Sequence, residues 1–224
     1  MSVAKISAQP FAEAGHRVRR LGLACTVSGV LGVLAGAFTI GYPPAVPEDQ
    51  WSYPFPVGVQ WALSIILAGT HALTLAGFLG LMVADPHRRN RAAVIGIWIA
   101  VVGYAGLTIC EVLSGAIGAE SNSSSLAVNV GSAFGVASLL TALGSVIAGV
   151  VIVRTRAWHG LGRWMVLSSG VIMVVLVTPA NISGDLVFRT VALTLWSLTF
   201  IPLGRAISSS SSSETHVRRS EGDR

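Results

Sequence analysis

The chain has 224 residues, enough for one or two soluble domains, yet 52% of them are apolar, only 11% are charged and the mean hydropathy is +0.69. A soluble domain carries about 25% charged residues, so this composition excludes a water-facing surface and assigns the chain to a bilayer. The net charge of +5 and pI of about 10.0 raise nucleic acid as a partner, which the placement of the charges, set out below, rules out.

Residues 1–16 form a polar leader, expected to be flexible and cytoplasmic. A membrane helix needs about 20 mostly apolar residues, and residues 17–207 supply six such runs: Leu21–Ile40, Val57–Ala84, Ala92–Gly118, Val128–Val153, Trp164–Asn181 and Leu186–Ile207. Arg17–Ala37 has the basic start, apolar run and Ala35-Gly36-Ala37 of a secretory signal. The polar leader and the even span count favour a retained helix instead. Residues 208–224 are serine-rich and charged, a composition expected to be disordered.

Between the first two spans lies YPPAVPEDQWSYPFP, residues 42–56, with five of the nine prolines. Proline stops a helix and favours extended backbone. Tyr42, Trp51, Tyr53 and Phe55 suit the headgroup layer. The segment reads as a stiff cap along the outer interface, either a well-anchored loop or a lid or docking strip.

Charge sets the orientation. Lys5, Arg17, Arg19 and Arg20 precede the first span. Arg88, Arg89 and Arg91 separate spans two and three, Arg154, Arg156 and Arg163 surround the next even connection, and Arg205, Arg218, Arg219 and Arg224 end the chain. With six spans, all fall on one side, opposite Glu48, Asp49, Glu120, Asp185 and the lone outer base Arg189. The positive-inside rule puts both termini in the cytoplasm. Short basic clusters flanking a membrane are topology signals, and anionic headgroups, not nucleic acid, are their natural partner. The fold expected is all-α: a polytopic membrane bundle of six transmembrane helices, multi-pass in the cell membrane.

Ionisable groups at membrane depth need an explanation, because even lenient scales put a central charge near +2.5 to +3.5 kcal/mol. Three stand out. Glu111 shares a polar stripe with Tyr104, Thr108 and Ser114, at helical spacings of three and four. His71 shares one with Gln60, Ser64 and Thr74. Arg189 follows Asp185 by four residues, the spacing of an ion pair on one helix face, and Thr190, Thr194 and Ser197 continue a polar side inward. The functional reading turns these stripes together, pairs Glu111 with Arg189 and sets His71 deeper, for proton relay or cation binding. Counting from the helix ends leaves roughly 8 Å of depth between Glu111 and His71, so no direct contact is expected. The competing reading is that these groups hydrogen-bond helices to one another and that Arg189 snorkels to the headgroups.

Gly32 and Gly36, Gly131 and Gly135, Ala76 and Gly80, and Gly96 and Ala100 form small-xxx-small pairs that let backbones approach. They serve packing within the chain, or contact with a second copy or a membrane partner. Pro202 should kink the sixth span. Cys25 and Cys110 fall at different depths, which excludes a disulfide. His16, His87, His159 and His216 are scattered among bases, so no metal site is expected, and no motif calls for a cofactor.

YPPAVPEDQWSYPF followed by a span containing GTHALTLAGFLGL, with the later GRWMVLSSG and ALTLWSLTF, resembles small six-span membrane proteins of high-GC Gram-positive bacteria. That resemblance covers most of residues 17–207 and implies no particular activity or functional residue. The residues support, in order, a non-catalytic envelope component, a small-solute or ion transporter using Glu111, and an intramembrane enzyme acting on lipid.

Overall fold

The computed structural model describes residues 9–83, 90–156 and 160–210. Six helices are long and apolar enough to cross a bilayer: α1 over Gln9–Gly41, α2 over Val57–Val83, α3 over Arg91–Ala116, α4 over Ser125–Thr155, α5 over Gly162–Ser183 and α6 over Leu186–Ser210. The chain is a multi-pass integral membrane protein, all-α as expected. Large apolar side chains on every helix point outward, among them Leu34, Ile65, Ile109, Val136, Val175 and Leu195. Such a girdle suits lipid and not water. Lys5, His87, Arg88, Arg89, His159, Arg218, Arg219, Arg224 and His216 lie outside the described residues, as do residues 1–8 of the leader and 211–224 of the tail.

The helix ends follow local chemistry. α1 begins at Gln9, before the apolar run, with Pro10 in its first turn, where its missing N–H is no loss. Asn90 caps α3, its Oδ1 accepting from Ala92 and Ala93 N–H groups, and Ser124 caps α4. Proline interrupts the regular hydrogen bonding of the last two spans. Pro179 cannot donate to the carbonyl four residues back, and α5 widens into a π turn over Met173–Val177 just before it. Pro202 acts similarly in α6: the α-helical segment ends at Leu198, capped by Thr199, before helix resumes.

Helices consecutive in sequence pack side by side in antiparallel pairs, and α6 closes the bundle against α1. The contacts show the direction. On α1, Gly22, Gly29, Gly32 and Gly36 meet Ser208, Ile201, Ser197 and Thr194 of α6 in that order. Gly96 and Gly103 of α3 meet Ala148 and Thr141 of α4. The six helices thus share one end carrying both termini, here the termini end. There lie Arg17, Arg19, Arg20, Arg91, Arg154, Arg156, Arg163 and Arg205, while Glu48, Asp49, Glu120 and Asp185 lie at the other, the cap end.

The small-residue pairs divide. Gly32, Gly36, Gly80 and Gly96 are filled by neighbouring helices of the same chain, Gly131 faces the Trp51 ring at 3.8 Å, and a side chain at Gly135 would meet open space. Cys25 and Cys110 are free and buried.

Candidate functional site

The site grows from the seam between α2 and α3. Phe78 and Tyr104 pack with ring centroids 5.0 Å apart. Seven residues toward the cap on each helix stand His71 and Glu111, whose Nε2 and Oε1 lie 3.4 Å apart. Their side chains are only 11% and 12% exposed. This corrects the expected separation. That expectation treated the helix ends as level, but the seam's register is set by its contacts: Ser64 meets Gly115 and Phe78 meets Tyr104, with fourteen residues of α2 and eleven of α3 between the two. In addition, Cα–Cβ bonds lean toward the helix N-terminus, so in an antiparallel pair His71 leans to the cap end and Glu111 away from it.

The pair sets an imidazole nitrogen against a carboxyl oxygen. Its length exceeds the 2.7–2.9 Å of a tight charge-assisted bond, so the contact is loose and each group keeps hydrogen-bonding capacity. Glu111 and His71 are two oxygen and nitrogen donors that a cation or a solute N–H or O–H could use. Among the described residues no third His, Cys, Asp or Glu joins them.

Above the pair runs a ladder of polar side chains. Gln60 Nε2 donates to Ser64 Oγ and Ser114 Oγ, each at 3.3 Å, and Trp51 Nε1 donates to Ser114 Oγ at 2.9 Å. Trp51 belongs to the proline-rich segment, which is folded onto the α3–α4 connection. Trp51 N–H donates to the Glu120 carbonyl at 2.9 Å and Asn122 N–H to that of Asp49 at 2.7 Å. Phe55, 3% exposed, stacks on Phe38 at 5.7 Å and meets Tyr42 edge-on at 4.9 Å. Of the aromatic residues expected at the headgroups, Phe55 is buried between Phe38 of α1 and Tyr42 just beyond that helix, and half-buried Trp51 bonds to α3 through its indole N–H.

Below the pair lies an aromatic floor. Trp196 of α6 stacks on Tyr104 at 6.0 Å and 17° and lies 6.0 Å from the His71 ring. Tyr104 Oη, Trp196 Nε1, and Thr141 Oγ1 and Ser145 Oγ of α4 are buried without a hydrogen-bond partner. Tyr104 and Ser145 face one another outside hydrogen-bond geometry. Buried polar atoms of this kind are uncommon and mark places where stability has been given up.

No known protein family, curated protein or solved structure matches this chain. Its site therefore rests on geometry alone.

The remaining residues singled out from sequence do not join the pair. Thr108 donates to the Tyr104 carbonyl of its own helix. Among the described residues no carboxylate lies within 4.0 Å of Arg189. Nor does Asp185 pair with Arg189. Its Oδ1 instead accepts from Phe188 N–H at 2.6 Å as the cap of α6, a local bond that competes with the ion pair and fixes the carboxylate at the helix start. Thr194 and Ser197 donate to their own helix and face Gly36 and Gly32 of α1, away from His71. Thr74 pairs with Ser28 of α1 at 2.6 Å. Sequence reasoning missed Trp51, Trp196, Thr141 and Ser145 as neighbours of the site. Two signals were there: a tryptophan deep in a span instead of at the interfacial belt, and a hydroxyl pair at i, i+4 on one helix face.

Proposed function

We propose that this chain is a non-catalytic integral component of the cell envelope, in which the His71–Glu111 pair fastens α2 to α3 beneath a folded cap. The observation that carries this reading is that the pair closes on itself above a core sealed by apolar side chains. Toward the termini end, Leu81, Ile97, Ile152, Val166, Leu203 and Ile207 are fully buried and close the core with apolar side chains beyond the aromatic floor. The basic residues at the termini end favour a cell-membrane location with both termini cytoplasmic. The resemblance to six-span proteins of high-GC Gram-positive bacteria points the same way.

A second reading, proton-coupled passage of a small solute, is favoured by the ladder from Trp51 to Ser64 above the pair and by the four unpartnered polar atoms below it. One experiment separates the two. The purified chain is reconstituted into liposomes enclosing a pH-sensitive dye, and an imposed pH gradient is followed. The first reading expects decay no faster than in protein-free liposomes, and no change with Glu111→Gln. Decay accelerated by the protein and abolished by Glu111→Gln would overturn it in favour of transport.

A further inference from the structure

At the termini end, α1 and α6 approach backbone to backbone. A Cβ on Gly22 would lie 2.6 Å from the Gly204 carbonyl, and one on Gly204 would lie 2.5 Å from Thr26 N. Glycine at both positions is what lets the helices close, and closure draws together two cations from opposite ends of the sequence. Arg19 sits one turn before Gly22, and Arg205 directly follows Gly204. Between them opens a groove of about 560 Å³ lined by Arg19, Leu23, Thr26, Arg205, Ser208 and Ser209. Both arginines are exposed, and among the described side chains no acid pairs with either. The serine hydroxyl protons are already engaged: Ser208 donates to the Gly204 carbonyl at 2.9 Å and Ser209 to that of Ala206 at 3.1 Å. The polar recognition is therefore left to the two guanidinium groups.

The rest of the groove is apolar and continues along the membrane. Leu23 is 59% exposed, and Val27, Val30 and Leu34, at helical spacing after it, are exposed as well. Two planar forks at the membrane surface, matched to phosphate geometry, stand directly above an apolar track on one helix face. A free anion would use the forks and leave the track bare. A lipid uses both.

We propose that the α1–α6 groove is a binding site for one anionic glycerophospholipid, its phosphate held between Arg19 and Arg205 and an acyl chain laid along Leu23, Val27, Val30 and Leu34. The site differs from a second groove at this end. That one, of about 420 Å³, has a single cation, Arg163, which is stacked over the Trp164 ring at 5.0 Å.

The test uses the full chain purified in an uncharged detergent, titrated separately with phosphatidylglycerol, phosphatidylcholine and inorganic phosphate while thermal stability is recorded. Phosphatidylglycerol should stabilise the protein at concentrations where the other two do not. A cation near an anionic headgroup contributes roughly fivefold in affinity, so Arg19→Gln with Arg205→Gln should weaken binding about 25-fold. Arg163→Gln should leave it unchanged. Equal stabilisation by phosphatidylcholine, an equal loss in Arg163→Gln, or the same effect from inorganic phosphate would each overturn the proposal. Should the double variant fail to fold, native mass spectrometry of the wild-type chain decides. A phosphatidylglycerol retained where phosphatidylcholine is shed supports the site, and no retained lipid refutes it.

Discussion

α3 presents two faces to two neighbours. Toward α2 it offers Ser114, Glu111 and Tyr104, and meets Gln60, His71 and Phe78 through side-chain atoms. Toward α4 it offers Gly96 and Gly103, and there the backbones themselves meet: a Cβ on Gly96 would lie 2.6 Å from Ala148 N. The first seam selects its partner through donors and acceptors that must match, and is loose enough to hold a 3.4 Å contact. The second selects through the absence of volume and tolerates no addition. In lipid, where apolar burial does not drive helices together, these are the two available means of association, polar bonds and close packing. Here one helix uses both, on opposite sides.

The contrast orders the expected effects of substitution. The largest falls on the glycine seam. A Cβ at Gly144 would lie 2.5 Å from the Gly96 carbonyl and 2.8 Å from Ala100 Cα, so Gly144→Leu should destabilise the protein by about 3 kcal/mol or more. Gly135→Leu, pointing into open space, should leave it unchanged. Thermal unfolding in detergent compares the two, and equal effects would remove the distinction between filled and open glycines. Next comes Glu111→Ala, which leaves the buried His71 without its partner and should cost about 1–3 kcal/mol. A loss as large as that at Gly144 would mean that the polar seam is as intolerant as the glycine seam. Smaller still is Trp51→Phe, which keeps the ring and removes the N–H bonded to Ser114. About 0.6 kcal/mol is expected, with faster amide exchange confined to the cap and the α3–α4 connection. The smallest effect belongs to Arg189→Gln, within about 0.5 kcal/mol of wild type, since no carboxylate holds Arg189. A drop comparable to that of Glu111→Ala would place Arg189 in the seam after all.

The spans were legible because each apolar run must satisfy its backbone internally and is long enough to cross, which makes helix the one available form. What remained illegible depends on register and on competition. The His71–Glu111 contact follows from the register of α2 against α3 and the opposite lean of the two side chains, which counting from helix ends does not contain. The inward turn of Trp51 depends on Ser114, far away in the chain. Asp185 could serve Arg189 or the α6 N-terminus, and the nearby backbone N–H prevailed. The helical start of α1 at Gln9 precedes the apolar run, so hydropathy alone places that helix's beginning too late.

The fastening of α2 to α3 is tested most directly by a double-mutant cycle on stability with His71→Ala, Glu111→Ala and both together. A coupling energy of about 0.6 to 1.7 kcal/mol, the range of side-chain bonds between membrane helices, is the predicted result. Additivity of the two single effects within about 0.3 kcal/mol would contradict it and dissolve the seam on which the proposed role depends.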